Sequence, residues 1–131
     1  MPTSTAQPGL VARLSQWSLA LFFVLAGTLH FVFTAHYVAI MPPWLPAQHA
    51  LVIVSGLFEI AGGVGLLINP CRRLAGLGLI ALCLAVLPAN VQMLLNAQAD
   101  NASTGWLALL WLRLPLQGLL IVWIWRVSQR D

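Results

Sequence analysis

The run SGLFEIAGGVGLLIN, residues 55–69, constrains this chain more than any other stretch, because it sets one carboxylate, Glu59, inside an apolar segment long enough to enter a bilayer. A charged side chain at mid-membrane costs at least about 2.5 to 3.5 kcal/mol on insertion scales, so such a group faces a bundle interior and takes a partner. Arg113 is the only cation inside another apolar run and is the expected partner.

The remaining residues place that run in a membrane protein. Among 131 residues 60% are hydrophobic, 7% are charged and none is lysine, which leaves too little polar surface to clothe a soluble globule. The expected fold class is an all-α, polytopic four-helix transmembrane bundle, with spans near 14–33, 50–68, 74–95 and 105–125, each close to the roughly 20 residues that cross the hydrocarbon core. A tail over residues 1–13 and a short tail over 127–131 flank a single domain over 14–126. The first nine residues lack the charged, apolar and small-residue pattern of a signal peptide and read as a frayed tail. Between the first two spans, TAHYVAIMPPWLPAQ reads as an ordered loop over the bundle mouth, because Pro42, Pro43 and Pro46 forbid a regular helix there. Pro88 predicts a kink in the third span.

Five arginines, Arg13, Arg72, Arg73, Arg126 and Arg130, fall in the N-terminal tail, the middle loop and the C-terminus, whereas the other two loops carry none. That asymmetry predicts both termini in the cytoplasm. The net charge of +3 is then a consequence of topology and gives no case for nucleic-acid binding. Cys71 and Cys83 lack redox or zinc spacing and read as a loop thiol and a core thiol.

Depth and helical period select the polar candidates. At 1.5 Å of rise per residue, His30 lies about 5 Å, Asn90 about 8 Å, Arg113 about 12 Å and Glu59 about 13 Å from the outer end of their spans. All four occupy the outer half, and the inner halves are almost wholly apolar. His30 shares a stripe with Phe23, Ala26, Phe33 and Tyr37, and Arg113 shares one with Trp106, Leu110, Gln117 and Leu120. Gly56 and Gly63 flank Glu59 on one face, which allows close helix approach and exclusion of lipid from the charge. The candidate polar core is His30, Glu59, Asn90, Arg113 and Gln117, with Tyr37, Trp44 and Trp106 at its mouth. Each has a plainer reading: a structural Glu59–Arg113 pair, a His30 hydrogen bond to a carbonyl or to Glu59, an Asn90 satisfying backbone freed by Pro88, and aromatic residues anchoring the interface. His36 and His49 read as loop residues.

Several chemistries find no residues. A bundle haem takes a histidine from each of two helices, and only His30 lies securely in a span. No Gly-rich phosphate loop, zinc-protease motif or nucleophile elbow occurs, and no metal site is expected. An acid, a base, an imidazole and an amide in an apolar setting suit a polar-headed lipophile.

LAGTLHF at 25–31, MPPWLP at 41–46, SGLFEIAGGVGLL at 55–67, RRLAGLGLIAL at 72–82, PAN at 88–90 and LRLPLQ at 112–117 together resemble the DoxX family of small four-helix bacterial membrane proteins. The resemblance runs from about Leu14 to Trp125. It departs after His30-Phe31, where a proline is expected a few residues on and this chain has Thr34-Ala35-His36. It implies a bacterial inner membrane location and a link to quinone-dependent oxidoreductases, to other redox complexes or to assembly of membrane proteins. Three functions stay open: a quinone-interacting subunit that takes electrons from a partner, with no intrinsic cofactor; a non-catalytic binding or assembly protein whose Glu-Arg core is structural; and a small-solute transporter. For the last, a homo-oligomer would have to supply a second half.

Overall fold

The computed structural model describes residues Gly9 to Gln129, so most of the expected N-terminal tail and the last two residues lie outside the described part of the chain. The described residues form helices α1 (Leu10–Val32), α2 (Thr34–Ala39), α3 (Gln48–Gly65), α4 (Arg72–Ala99) and α5 (Thr104–Ser128), with a 3-10 turn at Asn69–Cys71 before α4. No strand occurs among them. Four of the helices, α1, α3, α4 and α5, are long and apolar enough to cross a membrane, as in a multi-pass membrane protein.

The helices are longer or shifted relative to the expected spans. Helical geometry begins already at Leu10 in α1 and continues to Ser128 in α5, so both helices extend beyond the spans expected from the sequence. α3 stops at Gly65, three residues early, and Pro70, five residues later, sits at the start of the 3-10 turn. The carbonyl of Leu66 at that end accepts both Gln16 Nε2 at 2.7 Å and Arg72 Nε at 2.9 Å. Those bonds satisfy a helix terminus that would otherwise be left open and tie α1, α3 and α4 together at the arginine-bearing end.

Two further corrections concern prolines and histidines. The segment expected as loop contains α2, because Pro42, Pro43 and Pro46 all follow Ala39 and leave residues 34–39 free to coil. His36 therefore lies in α2, and His49 lies in the first turn of α3. α4 runs as one helix through Pro88. At the far turn, Asn101 takes a left-handed conformation at φ 52°, and Ser103 caps α5 by accepting the Trp106 N–H at 3.3 Å.

Packing follows the small residues. α1 lies on α3 through Gly27, Gly56 and Gly63: a Cβ on Gly27 would come 2.6 Å from the Gly56 carbonyl, and one on Gly63 would come 2.8 Å from that of Ala20. α4 pairs with α5 and also packs on α3, whereas α1 and α5 meet only weakly. An apolar core of Leu19, Phe23, Leu66, Leu79, Cys83, Ile124 and Val127 fills the arginine-bearing half, and a smaller cluster of Leu94, Ala97 and Leu110 closes the α4–α5 hairpin. Trp123 Nε1 donates to Ser15 Oγ at 2.7 Å and holds α1 to α5 at the arginine-bearing end. The half nearer α2 is left with a cavity.

Candidate functional site

That cavity measures about 400 Å³ and is bounded by all five helices. His30, Tyr37, Glu59, Asn90, Arg113 and Gln117 all line it, together with apolar side chains such as Phe22, Met41 and Val86. Trp44 and Trp106, expected at its mouth, do not line it; both face outward, and Ile40, Met41 and Leu45 stand there instead. Ser55 and the buried Cys83 also line the cavity, and neither was singled out as polar lining from the sequence. Ser55 shares the exposed-to-buried edge of α3 one turn before Glu59, a spacing from which it could have been found.

Glu59 is delivered to this place by the glycine seam. Because Gly27 and Gly56 let α1 and α3 approach closely, the imidazole of His30, one turn beyond Gly27, reaches the carboxylate of Glu59. Nδ1 of His30 lies 3.2 Å from Glu59 Oε2 and 2.8 Å from the carbonyl oxygen of Ala26. A carbonyl only accepts, so Nδ1 carries a hydrogen and donates it to Ala26. Oε2 is left without a hydrogen-bond partner, the one buried side-chain nitrogen or oxygen in that condition among the described residues. Glu59 itself is 9% exposed.

The expected Glu59–Arg113 pair is not formed. Arg113 comes from α5, which packs on α4 and not on α3, and its Nη1 donates to the sulfur of Met93 on α4 at 3.2 Å. Similar depth in the bundle gave the two groups a common level, yet the order of helices around the bundle sets them on opposite walls.

The other polar groups are largely engaged. Gln117 Nε2 donates to the carbonyl of Cys83 at 3.0 Å, one residue before the carbonyl that Pro88 cannot serve, and Asn90 Nδ2 makes a long 3.4 Å bond to Gln117 Oε1. Ser55 Oγ donates to the Leu51 carbonyl at 2.7 Å. From α2, the Tyr37 ring stacks on His30 with centroids 4.0 Å apart and planes 19° from parallel, which covers the imidazole on the α2 side. Burial pushes the Tyr37 hydroxyl above its usual value of 10.0; the charge of Glu59 adds to the rise and that of Arg113 opposes it.

Chemically the cavity offers an unpaired acidic oxygen on the α1–α3 wall, a guanidinium on the α5 wall and apolar sides between them. No group of three or more histidine, cysteine or acidic side chains that could hold a metal ion occurs among the described residues. No curated protein and no solved structure matches the chain. Residues 19–128, which include every residue lining the cavity, match a protein-family description, and the chain belongs to that family, the Domain of unknown function (DUF8561).

Proposed function

We propose that this chain is an inner-membrane protein of bacteria, with both termini in the cytoplasm, that binds the polar head of a lipophile, of the quinone class, in the cavity beneath α2. The observation that carries this reading is the pairing of an unsatisfied carboxylate oxygen at Glu59 with an opposing guanidinium at Arg113 inside one largely apolar space of about 400 Å³. A quinone-type head bears an oxygen at each end of a small ring: one can accept from the Arg113 guanidinium, and the other, where it carries a hydrogen, can donate to Glu59. The volume falls within the range usual for small-molecule sites. Entry from the bilayer is favoured by the weak α1–α5 seam, which Trp123 and Ser15 close only at the arginine-bearing end.

Resemblance of the motifs to DoxX proteins supports the quinone class and a redox partner protein. Electrons would come from that partner, since among the described residues the cavity offers only the single thiol of Cys83 and no paired redox group. A second reading is favoured by the bonds among Asn90, Gln117 and Cys83, which knit α4 to α5 without any ligand. Under it the chain is a binding or assembly module and its polar core is structural.

Native mass spectrometry of the protein drawn gently from its own membranes, repeated on Arg113→Leu, decides between them. A bound quinone in the parent that is lost in a folded variant supports the lipophile site. An empty parent whose variant loses only stability leaves the structural reading.

A further inference from the structure

We infer that Glu59 Oε2 receives a hydrogen from a neutral hydroxyl on the head group of the bound lipophile, so that the cavity prefers a hydroxylated, reduced head to its carbonyl form. The inference rests on the lipophile reading above and adds the direction of recognition.

Glu59 Oε2 is buried and lacks a donor. Four polar neighbours in the cavity hydrogen-bond elsewhere, His30 Nδ1 to Ala26, Ser55 to Leu51, Gln117 to Cys83 and Asn90 to Gln117, and neither the Tyr37 hydroxyl nor the Cys83 thiol, which also line it, hydrogen-bonds to Oε2. A buried acceptor without a hydrogen is costly, and a ligand that brings one recovers that cost on binding. A carbonyl head would set a second acceptor against Oε2 and recover nothing.

Charge decides between the two kinds of donor. Arg113 already places a positive charge on the facing wall, so a cationic amine entering the same apolar space would add a second. A hydroxyl brings the hydrogen and no charge. Arg113, whose Nη1 is held only by the weak thioether acceptor of Met93, has further N–H groups with which to meet the oxygen at the other end of such a head.

A decyl-tailed benzoquinone and its hydroquinone are suitable probes, because the pair differs by the two hydroxyl hydrogens on one skeleton. Affinities are measured by calorimetry with the full chain in lipid nanodiscs, anaerobically, and corrected for partition into empty discs. The parent should bind the hydroquinone roughly tenfold more tightly than the quinone, the scale of one satisfied buried acceptor. Glu59→Leu should abolish the preference, so that hydroquinone and quinone bind with equal affinity. If that variant does not fold, Glu59→Gln keeps the volume, supplies amide hydrogens and should move the preference toward the quinone. Equal binding of both forms by the parent, or a preference that survives the substitution, overturns the hydroxyl inference and leaves the lipophile site standing. Binding of neither form overturns both.

Discussion

Glu59 Oε2 lies 3.2 Å from His30 Nδ1 and yet receives no hydrogen from it, because that hydrogen points to the Ala26 carbonyl. Proximity here is not pairing. If the contact were a structural ion pair, removing one member would strand the other and cost about 3 to 5 kcal/mol. An unpaired buried oxygen instead costs stability while it is present. Glu59→Leu is therefore expected to leave the unliganded protein unchanged or stabilise it by about 1 kcal/mol, measured by reversible unfolding in mixed micelles. A loss of several kcal/mol would show that Glu59 pins the bundle.

The seam that brings these residues together is steric. Gly27→Ala would drive a Cβ to 2.6 Å from the Gly56 carbonyl, a backbone atom that cannot turn aside. Separation of α1 from α3 should cost about 1 to 3 kcal/mol, more than the roughly 1 kcal/mol of helix propensity gained, and should also enlarge the distance from His30 to Glu59. Gly118→Ala, on α5 where nothing lies within 4 Å of the added carbon, is the control and should be neutral or slightly stabilising. Equal effects from the two substitutions would count against a packed glycine seam.

Residue period and depth carried much of this arrangement. The four apolar helices and the convergence of His30, Glu59, Asn90, Arg113 and Gln117 follow from a 3.6-residue repeat and from the height of each polar group along its helix. Height says nothing of which helix stands beside which, and the Glu59–Arg113 pairing was misjudged for that reason: α5 packs on α4, and the close neighbour of α3 is α1. Gly27 held the missing information, since a glycine one turn before His30 marks the side on which α1 can approach Gly56. Trp44 was misplaced because loop composition gives amphipathicity without direction, and Trp106 because the stripe it shares with Arg113 does not bring the first turn of α5 to the cavity. Residues 34–39 were read through prolines that begin only at Pro42.

Cys71 gives access to orientation. It is exposed at the turn before α4, whereas Cys83 is buried against the core. A membrane-impermeant maleimide should label the folded protein at Cys71 alone, and it should do so in inverted membrane vesicles and not in right-side-out ones if the arginine-bearing end faces the cytoplasm. Labelling from the opposite side would reverse the proposed topology and turn the cavity toward the cytoplasm.

Gln117 binds α5 to the Cys83 carbonyl of α4, and Asn90 reaches it by a longer bond. Gln117→Leu should destabilise the unliganded protein by about 1 kcal/mol, and Asn90→Leu by less. In a double-mutant cycle the two losses should add to less than their sum, because Asn90 has already lost its acceptor once Gln117 is gone. Strict additivity would show that the 3.4 Å bond contributes nothing.

Tyr37 is the only tyrosine of the chain, so tyrosinate absorbance reports on the cavity without interference from a second phenol. Its hydroxyl titrates above 10.0, first because burial disfavours the phenolate, then because Glu59 repels it, with Arg113 acting in the opposite sense. Arg113→Leu should therefore move the midpoint further up and Glu59→Leu should move it down. The stability linked to this group is fully present below pH 10.0, the unfolded value, and is lost as pH rises through the folded one, because the unfolded chain releases the proton first. Alkaline unfolding should accordingly begin near that pH and should shift with each variant in the direction of its midpoint. A Tyr37 midpoint at or below 10.0, or shifts of the wrong sign in the two variants, would mean that Glu59 and Arg113 do not face Tyr37 across one enclosed space.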